Sequence, residues 1–284
     1  MVIKPQTNRN LCEFSTFGIG GPIRFFLEIR TVDEALEAFF WAQKKGLETR
    51  VLGKGSNSLF RDDSFDGFVL LNKIDQCEIV GCEVNVGAGY SFSYLGVQSA
   101  KAALSGLEFA SGIPASVGGA IWMNAGANGA ETSDCLESVS YLFEQGEVHT
   151  FLKEELQFGY RTSSFQAMKG CILSARFVLQ ANESARLKQK SILQYRIQTQ
   201  PLKDKSAGCI FRNPSKELSA GALIDRCGLK GVSVGDATVS SMHANFIINQ
   251  GKAKASDVLS LIKHIQTTVF SHTGILLEPE IKIW

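Results

Sequence analysis

Short apolar segments alternate with polar, glycine-rich turns along the chain, and this pattern predicts a mixed fold of strands and helices. In the first part of the chain, strand-like segments occupy residues 23–29, 50–52 and 67–71. Between the first two, Thr31 or Asp33 can cap a helix that Gly46 ends. Its apolar face contains Ala35, Phe39 and Ala42. This order of elements predicts a β-α-β unit.

The pattern changes after residue 76, where the apolar runs become shorter. They predict strands at residues 77–80, 84–87, 139–143, 147–151 and 171–179. Helices are predicted at residues 91–104 and at the polar residues 184–199, which Pro201 ends. Residues 203–206 read as a linker between domains. Together these segments predict an α+β fold.

The last part of the chain predicts two helices, one strand and a strand-like tail. The first helix covers residues 219–227 and ends at Gly228. Residues 243–249 alternate as a strand does, which would place His243, Asn245 and Asn249 on one face. An amphipathic helix at residues 256–270 follows, with apolar positions at Val258, Leu261, Ile262, Ile265 and Val269. The tail is residues 276–284.

Length and composition are those of an ordinary globular protein. The chain has 284 residues, 44% of them hydrophobic, and a formal net charge of +1. That length predicts two or three domains. The near-neutral charge argues against a general nucleic-acid binder. No apolar run reaches the roughly 20 residues that span a bilayer, and the N-terminus lacks the apolar segment of a signal peptide, so we expect a cytoplasmic protein.

The seven cysteines predict neither a disulfide framework nor a metal site. Their number is odd and none form a CxxC pair, and the four histidines do not occur at HExxH spacing. Cys209 differs from the others because Arg212 and Asn213 follow it closely. A nearby cation lowers a thiol pKa and makes proton transfer near neutral pH possible, although a buried and inert thiol is the commoner case.

Two small-residue stretches could approach a flat, anionic ligand closely. Residues 112–131 are too glycine-rich for a helix interior, which predicts a long loop, and residues 52–59 have a similar character. Successive backbone N–H groups in such turns can bind a diphosphate. Neither stretch contains a Walker A or GxGxxG motif. Tight turns and close packing alone would also explain both stretches.

The remaining candidates are also open to two interpretations. Arg161, next to Tyr160, can clamp a carboxylate or lie at the surface. His243 can line a polar cleft or be a structural histidine. Glu278 and Glu280 near the end of the chain can be catalytic or simply solvated.

The motifs occur in an order that resembles the UDP-N-acetylenolpyruvoylglucosamine reductase (MurB) family of peptidoglycan precursor synthesis. The matching blocks are residues 16–21, 53–59, 112–131, 160–161, 208–214, 223–225, 228–231, 243–249 and 277–280. They extend over nearly the whole chain. The short connection between Phe177 and Tyr195 resembles the compact second type of the family.

The resemblance implies an FAD-binding domain of the vanillyl-alcohol-oxidase type in two subdomains, followed by a substrate-binding domain. The implied boundaries are residues 1–73, with 275–284 returning to them, 74–200 and 201–274. The implied FAD contacts are Gly53, Gly55, Ser56, Asn57, Ser58, Gly112, Ile113, Pro114, Gly119, Asn124 and Gly126. The implied substrate contacts are Asn213, Lys230, His243 and Asn245.

The implied reaction uses NADPH and FAD to reduce UDP-N-acetylglucosamine enolpyruvate to UDP-N-acetylmuramate. A hydride from flavin N5 reaches C3, and an acid protonates C2. Arg161 matches the arginine that stabilises the developing charge, Glu280 matches the partner glutamate of that arginine, and Cys209 occupies the position of the usual serine proton donor. A thiol, with a reference pKa of about 8.5, is a stronger acid than an alkyl hydroxyl. Lys282 and Asp236 depart from the commoner arginine and glycine.

Two other functions remain possible at this point. One is an FAD oxidase or dehydrogenase with another substrate, and the other is a UDP-sugar or nucleotide-binding module without turnover. Retention of Arg161, Cys209 and Glu280 together argues against the module. No metal, nucleic acid or membrane partner is expected, and a monomer is the expected state.

Overall fold

The computed structural model describes residues 3–284 and contains two compact units. The first consists of residues 3–7, Arg24–Lys54 and Asp66–Arg196, and the second of Asn8–Ile23, Gly55–Phe65 and Ile197–Trp284. The domain boundaries expected after residues 73 and 200 stay a prediction. Within residues 3–284, no helix combines the length and apolar character needed to cross a bilayer.

Six α-helices, 21 strands and five short 3-10 helices make up the regular structure of the described residues. The helices are α1 (Val32–Lys44), α2 (Phe92–Lys101), α3 (Val117–Met123), α4 (Ala185–Thr199), α5 (Ala220–Arg226) and α6 (Ala255–Thr273). The strands are β1 (Arg9–Asn10), β2 (Pro22–Ile29), β3 (Thr49–Leu52), β4 (Ser58–Leu59), β5 (Phe65–Asn72), β6 (Cys77–Val80), β7 (Glu83–Gly87), β8 (Leu104–Ser105), β9 (Gly126–Ala127), β10 (Ala130–Glu131), β11 (Leu136–Phe143), β12 (Val148–Leu152), β13 (Phe158–Gly159), β14 (Thr162–Ser163), β15 (Gly170–Val178), β16 (Gln180–Ala181), β17 (Ser206–Cys209), β18 (Ser233–Val234), β19 (Ala237–Val239), β20 (Phe246–Asn249) and β21 (Lys282–Ile283).

The β-α-β unit at the start of the first unit is confirmed. Strands β2, β5 and β3 are neighbours in one sheet, and β3 runs parallel to β5. Helix α1 begins where Thr31 Oγ1 accepts the Glu34 amide at 3.1 Å, a standard N-cap bond. Its predicted face, Ala35, Phe39 and Ala42, is buried. Gly46 follows the helix with φ +61°.

The rest of the first unit is built on an antiparallel sheet in the order β12-β11-β15-β7-β6. Helices α2 and α3 bury their apolar faces in the core that this sheet helps to form. Helix α3 lies inside residues 112–131, so the prediction of a continuous loop there was wrong. Val117, Ala120 and Ile121 are fully buried at helical spacing, and this burial outweighs the cost of two glycines in the helix.

The second unit has its own core, formed by α5, α6 and a sheet in the order β17-β20-β19-β18. The predicted apolar positions of α6 are all buried, and Gly274 ends the helix in the left-handed conformation. Strand β21 pairs in parallel with β4, through Lys282 opposite Ser58 and Ile283 opposite Leu59.

Two strand predictions in the second unit were too long. The strand expected at residues 243–249 begins only at Phe246, because the Phe246 amide donates to the His243 carbonyl and closes a turn. His243 and Asn245 therefore precede β20 and do not share a strand face with Asn249. In the tail, only Lys282–Ile283 is strand. Pro279 adds a single bridge to Phe211.

Candidate active site

The two small-residue stretches meet inside the first unit, at Gly53 and Ser116. A Cβ atom added to Gly53 would lie 2.3 Å from Ser116 Oγ, so only glycine fits this contact. Ser116 Oγ in turn accepts the Gly119 amide at 3.2 Å and caps α3. Ser116 also forms a bridge with Ser91. Gly53, Gly119 and the start of α3 therefore form one surface of small residues.

Lys54 brings positive charge to this surface. Its Nζ donates to Ser91 Oγ at 2.8 Å. Although the residue is exposed, loss of solvent around the ammonium lowers the pKa of Lys54, and the nearby charge of Lys73 lowers it further. Two cations close to each other are stabilised by an anion such as a diphosphate.

The segment before α3 contains Gly112, Ile113 and Pro114. Gly112 has φ +83°, and its amide donates to Ser93 Oγ at 2.8 Å. Ser111 is fully buried, and its Oγ has no hydrogen-bond partner among residues 3–284.

The other predicted cofactor residues before position 60 belong to the second unit. Gly55, with φ +58°, lies so close to Phe14 that a Cβ would be 2.2 Å from its carbonyl oxygen. The Asn57 carbonyl accepts the Lys282 amide at 2.9 Å. Ser58 is buried in β4, next to the half-buried Ser56.

Arg161 lies in the turn between β13 and β14, in the first unit. Its backbone is left-handed, with φ +58°. Its Nη2 donates to the Gly126 carbonyl at 3.0 Å, and its guanidinium lies 4.8 Å from the centre of the Tyr160 ring. Asn124 is completely buried, with its amide hydrogen-bonded to Glu131 and Gly159. Its side chain therefore has no exposed surface toward a ligand.

Cys209 and Glu280 come together in the second unit through the segment 210–212. The Glu280 amide donates to the Ile210 carbonyl at 2.7 Å, and the Arg212 amide donates to the Glu278 carbonyl at 2.9 Å. Cys209 directly precedes this segment and pairs with Phe246 of β20. Backbone pairing thus holds the thiol-bearing and the carboxylate-bearing segments side by side.

Arg212, which the sequence indicated only as a cation near Cys209, also adds its charge to the surroundings of Lys282. Burial lowers the pKa of Lys282, the charge of Arg212 lowers it further, and Glu280 opposes both effects. The neighbourhood of Glu280 therefore contains two cations. An arginine within the motif at residues 208–214 was visible in the sequence, but nothing in the spacing indicated that it would lie near Lys282.

Two of the predicted substrate residues, Asn213 and His243, lie near the start of α5, and Lys230 follows its end. Asn213 Oδ1 accepts the Ala220 amide at 3.1 Å, and a Cβ on Gly221 would lie 3.2 Å from His243 Cε1. Burial lowers the pKa of His243, and the charge of Lys230 contributes to this effect. Lys230 also pairs with Asp225 at 2.7 Å.

Asn245 is 3% exposed, and its amide bonds both backbone groups of Phe211. Like the side chain of Asn124 in the first unit, the side chain of Asn245 forms hydrogen bonds with the protein's own backbone. Among the described residues, no group of His, Cys, Asp or Glu side chains could hold a metal ion.

Comparisons with known proteins show which family this chain belongs to. A profile described as the UDP-N-acetylenolpyruvoylglucosamine reductase C-terminal domain matches residues 200–284, and an FAD binding domain profile matches residues 23–152. The reductase of Protochlamydia amoebophila is 55% identical over 98% of this chain and 93% of its own length. The Chlamydia muridarum reductase is 47% identical over 98% of this chain and 94% of its own length. The chain belongs to the UDP-N-acetylenolpyruvoylglucosamine reductase family.

A solved reductase structure supports the same conclusion for the fold. The family member from Thermus caldophilus is 38% identical, with a TM-score of 0.85 over 100% of this chain and 99% of its own. The expected α+β class, an FAD-binding domain followed by the reductase C-terminal domain, is confirmed. The FAD profile includes both Gly53 and Ser116, while Cys209 and Glu280 lie within the C-terminal profile.

The residues of the first unit fit FAD. Gly53 allows the two small-residue stretches to approach each other closely at Ser116, Lys54 supplies positive charge for the diphosphate, and the Ser111 hydroxyl has no partner among the described residues. A cation beside a surface of small residues suits the diphosphate of a dinucleotide.

Proposed function

We propose that this protein reduces UDP-N-acetylglucosamine enolpyruvate to UDP-N-acetylmuramate with NADPH as the reductant. The observation that carries the proposal is the pairing of the Cys209 and Glu280 segments, through the 2.7 Å bond between the Glu280 amide and the Ile210 carbonyl, within the matched C-terminal domain. The first unit would hold FAD, which would supply hydride transfer from NADPH to C3 of the enolpyruvyl group.

In this proposal, residues of the chain stabilise the developing charge and donate the proton. Addition of hydride at C3 leaves negative charge at C2 and on the adjacent carboxylate, which a fixed guanidinium stabilises. Arg161 has this role in the proposal, and Glu280 is a further catalytic residue. Cys209 donates the proton to C2 through its thiol. In the first unit, Gly53, Gly112 and Gly119 hold FAD with the help of Lys54.

The first experiment is an anaerobic titration of the FAD-loaded protein, followed by flavin absorbance. NADPH should bleach the flavin, and UDP-N-acetylglucosamine enolpyruvate should restore its colour. A protein that neither contains nor takes up FAD would refute the proposal. Reduced flavin that oxygen reoxidises rapidly but the UDP-sugar does not would identify an oxidase or dehydrogenase for another substrate.

Cysteine variants test the proton donor. Cys209→Ala should leave flavin reduction by NADPH unchanged and slow reoxidation by substrate about 10²-fold or more, the usual contribution of a general acid. Cys209→Ser should keep part of the rate. Cys227→Ala, at another half-buried cysteine of the second unit, serves as the matched control and should behave as wild type. Equal losses in both half-reactions would contradict the role of Cys209.

We further propose that the protein acts as a monomer in the cytoplasm. The net charge of +1 gives no basis for a nucleic-acid partner. Light scattering after size exclusion should give a mass near 30.9 kDa. A mass near twice that value would refute the monomer.

A further inference from the structure

The turn that carries Arg161 has a conformation that needs external support. Arg161 is one of five residues other than glycine with positive φ among residues 3–284. L-residues adopt this left-handed region at a cost, and they persist there only when the surrounding structure holds them. The support for this turn must come from the groups that bond its backbone.

Gln166 provides one of these supports. Its Nε2 donates to the Arg161 carbonyl at 3.1 Å and to the Trp122 carbonyl at 2.9 Å. Trp122 belongs to the last turn of α3, so this side-chain amide connects the Arg161 turn with the end of that helix. Ser163 Oγ, on β14, donates to the same Trp122 carbonyl at 2.8 Å. Two side chains therefore bind this hairpin to the helix, and Gln166 is the one that bonds the Arg161 carbonyl itself.

Asn124 supports the same turn at Gly159, two residues before Arg161. Its Nδ2 donates to the Gly159 carbonyl at 3.0 Å and to Glu131 Oε2 at 2.8 Å, while its Oδ1 accepts the Ser133 amide at 3.0 Å. The residue is completely buried and is itself left-handed, with φ +43°. Its place at the end of α3 is therefore fixed.

We propose that Gln166 is a positioning residue for the reduction step, which fixes the backbone from which the Arg161 guanidinium projects, with Asn124 as a second support. The inference rests on the proposed function, since it concerns the catalytic role given there to Arg161. The guanidinium stabilises developing charge only if it stands where that charge appears, and small displacements of a charged group are costly in rate. Gln166 acts through Arg161 and does not touch the substrate.

Two substitutions remove the bridge in different ways. Gln166→Met keeps the length of the side chain and removes both donors. Gln166→Glu places a carboxylate against the Arg161 and Trp122 carbonyls, so repulsion replaces two hydrogen bonds. We expect reoxidation by substrate to slow about 10-fold in the first variant and more in the second. Flavin reduction by NADPH and FAD content should not change.

Gln157→Met is the matched control. Gln157 is an exposed glutamine that precedes β13 on the same hairpin, and its replacement should leave both half-reactions at wild-type rates. Asn124→Asp is the second probe of the turn. It keeps the acceptor for Ser133, loses the donors to Gly159 and Glu131, and places its carboxylate against that of Glu131, so it should slow reoxidation in the same direction as Gln166→Met.

The deciding measurement is a double-mutant cycle between Gln166→Met and Arg161→Ala. If Gln166 acts through Arg161, its substitution should cost about 10-fold in the wild-type background and nothing once Arg161 is alanine. Calorimetric titration with UDP-N-acetylmuramate should show the same non-additivity in product affinity. Equal effects of Gln166→Met in both backgrounds would overturn the proposal, as would wild-type rates in both Gln166 variants.

The cycle also separates this inference from the proposed function. If Arg161→Ala alone leaves reoxidation at the wild-type rate, the catalytic role of Arg161 fails, and the positioning role falls with it. If Arg161→Ala slows reoxidation while both Gln166 variants do not, the proposed function stands and only the positioning role is refuted.

Discussion

Asn124 in the first unit and Asn245 in the second are both buried and both bond the backbone beside a predicted catalytic residue. Asn124 bonds the Gly159 carbonyl, two residues before Arg161, at 3.0 Å. Asn245 bonds the amide and the carbonyl of Phe211, two residues after Cys209, at 2.9 and 2.8 Å. The sequence resemblance implied that both residues contact ligands, whereas the structure uses both amides inside the protein.

The two regions differ in how much backbone pairing surrounds these asparagines. The segment 210–212 is paired on its other side with residues 278–280, through backbone bonds that any side chain allows. The two-residue strands that flank Arg161 pair only with each other, and side chains add further bonds: the amides of Asn124 and Gln166 and the hydroxyl of Ser163. Catalytic groups in the second unit should therefore tolerate nearby substitutions better than the Arg161 turn does.

The largest expected effect comes from Arg161 itself. Arg161→Ala should slow flavin reoxidation by substrate about 10²- to 10³-fold, the usual cost of removing a group that stabilises developing charge. Arg161→Gly should be equally slow but more stable than Arg161→Ala by about 1 kcal/mol, because glycine adopts positive φ without strain. Stopped-flow absorbance and urea unfolding measure the two effects. Equal stability of the two variants would show that the turn carries no strain.

The next effect concerns Asn245 and tests the tolerance of the second unit. Asn245→Ala leaves the amide and carbonyl of Phe211 buried without partners, which should lower the free energy of unfolding by about 3 kcal/mol. Because pairing with residues 278–280 remains, the folded fraction should keep most of its reoxidation rate. Gln250→Ala, at an exposed neighbour, should change neither quantity. A loss of rate as large as that of Arg161→Ala would contradict the comparison.

Much of the fold was predictable because the apolar positions of the clearest helix patterns are the positions that the fold buries. The cap and apolar face of α1 and the apolar stripe of α6 were both visible in the sequence. Helix α3 was not, since its glycines lower helix propensity and only the buried Val117, Ala120 and Ile121 make the helix stable. Local sequence contains no information about such tertiary burial.

The candidate site was predictable only in part, for a similar reason. The family motifs led to Arg161, Cys209 and Glu280, whose positions in the sequence carry the resemblance. Gln166 lacked any signal, and Arg212 was visible only as a cation close to Cys209 in the sequence, because their roles depend on which backbone carbonyl or charge lies beside them after folding. A polar residue in a motif can bind a ligand or the protein's own backbone, and spacing does not distinguish the two.

A smaller effect is expected where the two small-residue stretches meet in the first unit. Gly53→Ala would place a Cβ 2.3 Å from Ser116 Oγ and displace the cap of α3, costing about 1–2 kcal/mol of stability and about tenfold in FAD affinity. Adding Ser116→Ala removes the clash and leaves only a 3.4 Å contact between Cβ atoms.

The double variant should therefore bind FAD better than Gly53→Ala alone, although it lacks the cap. Flavin released on denaturation measures the bound fraction, and thermal unfolding measures the stability. If the second substitution weakens FAD binding further, the clash is not the cause, and the contact between Gly53 and Ser116 does not shape the surface.

The smallest effect is a pH dependence of stability that comes from His243, beside Asn245 in the second unit. Burial lowers the pKa of His243 below its ordinary value of 6.5, and its Nδ1 accepts the Asn245 amide at 3.2 Å, which a protonated ring cannot do. The unfolded chain therefore binds a proton more readily than the folded one. The stability that neutral His243 contributes is complete above pH 6.5, and it is lost as the pH falls below that value.

Urea unfolding at a series of pH values between 7.5 and 5 tests this contribution, in the range where histidine titrates. His243→Gln should flatten the decline in stability, whereas His264→Gln, at an exposed position of α6, should leave it as in the wild type. An equal decline in wild type and His243→Gln would mean that protonation of His243 does not disturb the turn before β20. In that case the backbone pairing around residues 210–212 would be independent of the His243–Asn245 bond, and the second unit would be even more tolerant than the comparison suggests.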